Sequence, residues 1–122
     1  MAIGSLINEI ISFPLKFNNL EDISLYSFLK EIGYFKHYNE VYENDVAKTL
    51  IQHPECINAW LNWSENKRVT SGWYIQNQEN GHYVVGYYPS YEGNTQIFYS
   101  DITNACAAFI IKEIEAVRNS QH

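Results

Sequence analysis

Positive charge is scarce in this chain. Eight Lys and Arg stand against fourteen Asp and Glu, a formal net charge of -6. That is the wrong sign for a protein that neutralises phosphates, so direct nucleic-acid binding is not expected. Cysteine is almost absent: Cys56 and Cys106 are the two there are, too few for a disulfide framework, and each falls on an apolar helical pattern where a small buried thiol packs well. No uninterrupted apolar run reaches the roughly 18 residues of a membrane span. Met1 to Ile11 lacks a positive start and carries Asn8 and Glu9 within its apolar pattern, unlike a secretory signal. These absences lead to the expectation of a reduced, cytoplasmic protein without membrane association. Catalytic signatures are missing too. There is no G-x-S-x-G, no G-x-G-x-x-G and no G-x-x-x-x-G-K, and Ser71-Gly72 leads into a strand rather than the helix a nucleophile elbow requires.

What the chain does contain is apolar surface. Of its 122 residues 46% are hydrophobic and only 18% charged, far from the composition of a disordered chain. The length suits one domain, residues 1–122, with no repeat or linker to divide it. Aromatic residues reach 16%, with ten Tyr and three Trp.

Periodicity places the elements. Ile3, Leu6, Ile7, Ile10 and Ile11 form one helical stripe, ended by Phe13-Pro14. Glu21 and Asp22 open a second helix through Leu25, Phe28, Leu29 and Ile32, with Gly33 as its stop. The spacing of Tyr34 to Tyr42 leaves loop and helical turn both open. Asn44 or Asp45 is expected to cap a short helix through Ile51, and Pro54 to open another in which Ile57, Trp60, Leu61 and Ser64 share a face. From Arg68 the period becomes two. Strands are expected over 68–78 and 82–88, joined at Asn80-Gly81, with a third over Thr95 to Ser100. Asp101 or Thr103 then caps a last helix with Cys106, Phe109, Ile110, Ile114 and Val117 on its stripe. The expected fold is α+β: N-terminal helices, a three-stranded antiparallel meander, and a C-terminal helix packed on the sheet.

Few constellations suggest chemistry. His53 and Cys56 have the spacing of metal ligands or of a thiol and its base, but a zinc site needs three or four ligands, so a capping His beside a buried Cys accounts for them better. Glu40, Glu43 and Asp45 sit in a polar stretch that offers no pocket to raise a pKa, so they read as helix-start acids. Arg68, beside Glu65 and Lys67, suits an ion pair across the helix-to-strand junction. No metal ligand set, cofactor motif or catalytic residue is assigned. The aromatic set says more: Tyr83 and Tyr87 alternate with Tyr74 and Tyr88 across the sheet, so one face is expected to stay partly open, unless β propensity alone explains these rings.

Helical residues 1–66, then Ser71-Gly72-Trp73-Tyr74, Val84-Val85-Gly86-Tyr87-Tyr88, and a last helix entered at Asp101 with Ala105-Cys106-Ala107-Ala108-Phe109-Ile110-Ile111 together give a chain that resembles the small acidic immunity proteins of bacterial toxin and immunity pairs, including those of contact-dependent inhibition. The resemblance is one of architecture, size and charge. It implies a cytoplasmic, non-enzymatic inhibitor that occludes the basic active-site face of a cognate toxin domain, often a nuclease. On that reading Glu65, Glu79, Glu92 and Asp101 steer a basic protein partner, Trp63, Tyr88 and Tyr91 are its anchors, and Arg68 lies at the same junction. Two alternatives stay open: a small-ligand domain with Trp73, Tyr87 and Arg68 lining a pocket, and an enzyme using His53, Cys56 or Glu65.

Overall fold

The computed structural model describes residues 3–16, 25–67, 72–77, 81–88 and 96–119, the side chains at 65–67, 72 and 88 excepted. Its elements are α1 (Ile3–Ile11), α2 (Phe13–Lys16), α3 (Leu25–Ile32), α4 (Tyr34–His37), a 3-10 turn at Tyr38–Glu40, α5 (Glu43–Gln52), α6 (Pro54–Lys67), β1 (Gly72–Asn77), β2 (Tyr83–Tyr88), β3 (Ile97–Tyr99) and α7 (Ile102–Asn119). The strands form an antiparallel meander in the order β1-β2-β3, so the architecture is α+β as expected. Among the described residues no helix is long and apolar enough to cross a membrane.

Helix α7 is the middle of the fold. It packs on all three strands and on α3, α5 and α6. The expected stripe is there, but Ala105, Ala107 and Ala108 are buried as well, which makes 105–110 a run of six buried residues. Six residues exceed one helical turn, so α7 is enclosed on every side at that level. Alanine at three of those positions permits this, because neighbouring helices close onto a surface without long side chains.

Helix boundaries follow local chemistry. As expected, the first helix ends ahead of Phe13-Pro14, at Ile11. The chain turns at Ser12 and α2 begins, since a proline in a first turn forfeits no hydrogen bond. Gly33 takes φ 92°, the left-handed conformation that favours glycine, between α3 and α4. The open question over Tyr34 to Tyr42 resolves into α4 and the 3-10 turn. The expected cap at Asn44 or Asp45 is corrected. The N-cap is Tyr42, whose extended backbone carbonyl accepts from the N–H groups of Asp45 and Val46, and no side chain caps it. Asp45 instead places its charge in the first turn, where the helix dipole favours it. For α7 the cap is Asp101, whose Oδ1 accepts from the Thr103 N–H at 2.9 Å.

Two side chains on the apolar face of α6 carry polar work. Trp60 is fully buried and its indole N–H donates to the Ile11 carbonyl at 3.0 Å, satisfying an otherwise orphaned group at the C-terminus of α1. Ser64, 2% exposed, accepts from the Ile75 N–H at 3.0 Å and donates to the Ile75 carbonyl at 3.3 Å. One hydroxyl thus satisfies both outward-facing backbone groups of Ile75 in the middle of β1.

The sheet pairs Trp73 with Tyr87, Ile75 with Val85 and Tyr83 with Tyr99 on the side that carries the core residues Ile75 and Val85. Tyr74, Val84, Gly86 and Phe98 point to the other side. There the phenol of Tyr74 lies across Gly86, held by the Gln96 side-chain amide at 2.9 Å; a Cβ on Gly86 would sit 2.6 Å from the Tyr74 hydroxyl.

Replacing Ser64 by Ala removes both edge bonds and leaves a buried N–H and C=O without partners, an expected loss of about 1–3 kcal/mol in urea unfolding. Ser64→Thr, which keeps a hydroxyl, is expected to lose less.

Candidate protein-binding surface

The residues expected to face a partner are distributed rather than gathered. Trp63 is half-buried: its ring packs edge-on against Phe13 at 5.0 Å and Trp60 at 6.0 Å, and its indole N–H donates to Glu113 Oε2 at 3.3 Å. Glu113 itself is 4% exposed. Trp63 therefore serves the interior. Asp101 is exposed at the start of α7, twelve positions before Glu113 and so about 18 Å away along the axis. The structure does not bring these two together. Arg68, Glu79, Tyr91 and Glu92, and the side chains of Glu65 and Tyr88, lie outside the described residues.

The pocket imagined around Trp73 and Tyr87 has a different character. These rings meet edge to face at 5.4 Å across the strand pair, and Lys112 places its Nζ 4.8 Å from the Trp73 centroid. They cover one another. A surface pocket of about 180 Å³ does exist, but between α1 and α3, lined by Ser5, Leu6, Glu9, Glu31 and Ile32; Lys16 pairs with Glu9 at 2.9 Å. Both members of that pair are well exposed, so it adds little stability.

Exposed large apolar side chains stand at Leu15, Tyr38, Tyr42, Ile51, Ile97 and Phe98, none of them among the residues expected to face a partner. Phe98 is 64% exposed, Ile97 40% and Tyr42 62%. The first two lie on β3, the edge strand of the meander, and Tyr42 precedes α5. Burial, and after it the charge of Glu43 at the start of α5, push the Tyr99 phenol above its ordinary range. Asp101 follows β3 by two residues. Ile97 and Phe98, on opposite faces of this edge strand and with the Asp101 carboxylate just past its end, bring together exposed apolar side chains and negative charge, features that a protein interface uses. The expected strand order already made residues 95–100 an edge, which is the signal that could have found Ile97 and Phe98; Tyr42 sat in the stretch left undecided.

A second polar constellation ties the C-terminal half of α7 to α4. Arg118 donates to Glu115 from Nε and from a terminal nitrogen, both at 2.9 Å, and stacks 3.6 Å from the Tyr38 centroid, while the buried Tyr34 hydroxyl donates to Glu115 Oε2 in a short bond. The Arg118 guanidinium, with help from the Tyr34 hydroxyl, holds the Glu115 carboxyl below its usual range against the opposing effect of burial. Burial, then the Glu115 charge, pushes the Tyr34 phenol far up. With every oxygen of Glu115 occupied, this is a clamp rather than an acid–base pair.

The cysteines are equally quiet. Burial, then the charge of Glu55, raises the Cys56 thiol, with a bond from Ser12 opposing, and burial, with a smaller contribution from Cys56, raises Cys106. His53 Nδ1 lies 3.6 Å from Glu55. Among the described residues no group of three or more His, Cys, Asp or Glu side chains converges as metal ligands would. Comparison with protein-family models, with curated proteins and with solved structures finds no match to this chain.

Two outcomes follow from these environments. Glu115, with its pKa lowered by folding, contributes stability that is present above about 4.5 and lost as pH falls through its folded value, whereas Tyr34, with its pKa raised, contributes stability that is lost as pH rises above about 10. Equilibrium unfolding against pH is therefore expected to show a shallower acid limb in Glu115→Gln and a shallower alkaline limb in Tyr34→Phe, the latter also costing about 1 kcal/mol at neutral pH. For the thiols, iodoacetamide is expected to label neither cysteine of the native protein at pH 8 within hours and both after unfolding, as mass spectrometry would show; rapid native labelling of Cys56 would revive a reactive-thiol role.

Proposed function

We propose that this chain is a non-enzymatic, protein-binding inhibitor of the immunity type, acting in the cytoplasm by covering the basic active-site face of a cognate toxin domain. The observation that carries the reading is the β3 edge: Phe98, 64% exposed, and Ile97, 40% exposed, hold apolar side chains out along an edge strand, on a body of net charge -6 and with the exposed Asp101 two residues beyond it.

The physics of such an inhibitor has two parts. Negative charge raises the encounter rate with a cationic surface over distances of about a Debye length, near 8–10 Å in physiological salt. Apolar side chains desolvated at the centre of the contact then slow dissociation, and rings are the most effective residues for that. The clamp at Glu115 and the shielded thiols support the reading from the other side, since packing accounts for each shifted group. Tyr91 and Glu92, six and five residues before Ile97 in the chain, remain proposed partner contacts, together with Glu65, Arg68, Glu79 and Tyr88. The role first given to Trp63 passes to Phe98.

The test is recovery and reconstitution. Affinity purification from the native host is expected to yield one basic protein in near-stoichiometric amount, whose activity the purified chain abolishes at equimolar concentration. Association of the purified pair is expected to slow about tenfold or more between low and half-molar salt, and Phe98→Ala to weaken binding by about tenfold or more. A partner whose activity is untouched, binding indifferent to salt, or turnover of a substrate by the chain itself would refute the proposal.

A further inference from the structure

The two edges of the sheet are treated differently, and the register shows how. In an antiparallel pair, residues alternate between those that exchange N–H and C=O with the opposite strand and those whose groups point away. Ile75 gives both of its groups to Ser64 on α6, so they point away from β2. Its cross-strand neighbour Val85 must then direct its own groups toward β3, where it faces Ile97. Phe98, opposite Val84, is consequently out of phase with the β2–β3 ladder, and its N–H and C=O point outward from the free edge. Among the described residues nothing on this side does for Phe98 what Ser64 does for Ile75. An open edge of this kind is a template for one more strand.

Resting on the protein-binding reading above, we infer that β3 receives an extended segment of a basic polypeptide partner by antiparallel strand pairing centred on the backbone N–H and C=O of Phe98. The pleat puts Ile97 and Tyr99 on one side of that pairing and Phe98 on the other, so an incoming strand meets apolar side chains at successive positions. The charge of the occupant follows from its surroundings: Asp101 is exposed just past the strand, the charge of Glu43 is felt at Tyr99, and the whole body is acidic. Pairing with a second copy through a two-fold axis at Phe98 would satisfy the same two groups but would bring two bodies of charge -6, with their own Glu43 and Asp101, against each other.

The probe is an end-capped octapeptide of alternating Lys and Val. Two controls accompany it: alternating Glu and Val, and the Lys/Val sequence N-methylated at every second residue on one edge. Hydrogen exchange of the Phe98 amide in the intact chain is read by NMR. Saturating Lys/Val peptide is expected to slow that exchange at least tenfold, and the two controls to leave it unchanged. Phe98→Pro removes the outward N–H without touching a ladder bond and is expected to bind the peptide at least tenfold more weakly than Phe98→Ala, as followed by the Ile97 and Tyr99 amide shifts; should it fail to fold, the exchange measurement decides alone.

Protection by the N-methylated peptide, or binding that leaves Phe98 unprotected, would overturn strand pairing while leaving the inhibitor reading intact. Protection that appears without peptide and grows with protein concentration would show self-pairing and overturn the choice of occupant. An inhibited partner recovered from the host that protects a different surface would overturn this inference alone, whereas a host without any such partner would overturn the inhibitor reading.

Discussion

The whole arrangement depends on one helix being surrounded. Because residues 105–110 are buried around a full turn of α7, the sheet must cover one side of it and α3, α5 and α6 the others. Alanine at 105, 107 and 108 sets how near those neighbours come, and dense packing around so central a helix leaves little room for adjustment. Everything that reaches the surface does so with reference to α7: β3 runs directly into it through Asp101, and the Glu115–Arg118 fork anchors α4 and the 3-10 turn to its far end.

Polar groups inside the apolar set decide the finer points. Trp60 holds the end of α1, Trp63 meets Glu113 on α7, and Ser64 holds Ile75 at the β1 edge, all from one stretch of α6. Ser64 occupies the outward backbone groups at the middle of β1, whereas among the described residues nothing occupies those of Phe98 at the middle of β3. A serine on an apolar helical face, which looks like a dilution of the core, thereby gives the sheet a direction.

Periodicity made the fold class and strand order legible, because the change of spacing from 3.6 to 2 near Arg68 and the Asn80-Gly81 turn are local signals; Gly81 indeed takes φ 77°. Helix starts were read less well. The α5 boundary rests on the Tyr42 carbonyl, a backbone group that carries no side-chain signature, and the enclosure of α7 could not be seen in its stripe because alanine is apolar without being diagnostic. The candidate surface was the least legible part. Trp63 looked like an anchor by residue type, but exposure is a tertiary property, and the α6 face that bears it turns inward to Phe13 and Glu113. Asp101 was recognised because a capping acid before an apolar stripe is a sequence-level pattern.

Asp101 also shows how one residue joins the scaffold to the surface. Its carboxylate accepts from the Thr103 N–H and from the Asn104 side chain at 3.1 Å, and it sits at the positive end of the α7 dipole, which stabilises its charge. A carboxylate has room for about four such bonds, so on the proposed reading about two remain for a partner. The cap fixes where β3 ends relative to the central helix, and the edge strand is consequently held in place before anything binds it. An edge that need not be ordered at the moment of contact avoids part of the entropic cost of association, and a three-residue strand is long enough to align a partner yet too short to invite indiscriminate pairing. On the proposed reading, recognition is shared between a negative field that many cationic proteins would feel and the positions of Ile97 and Phe98, which only a complementary strand would fit.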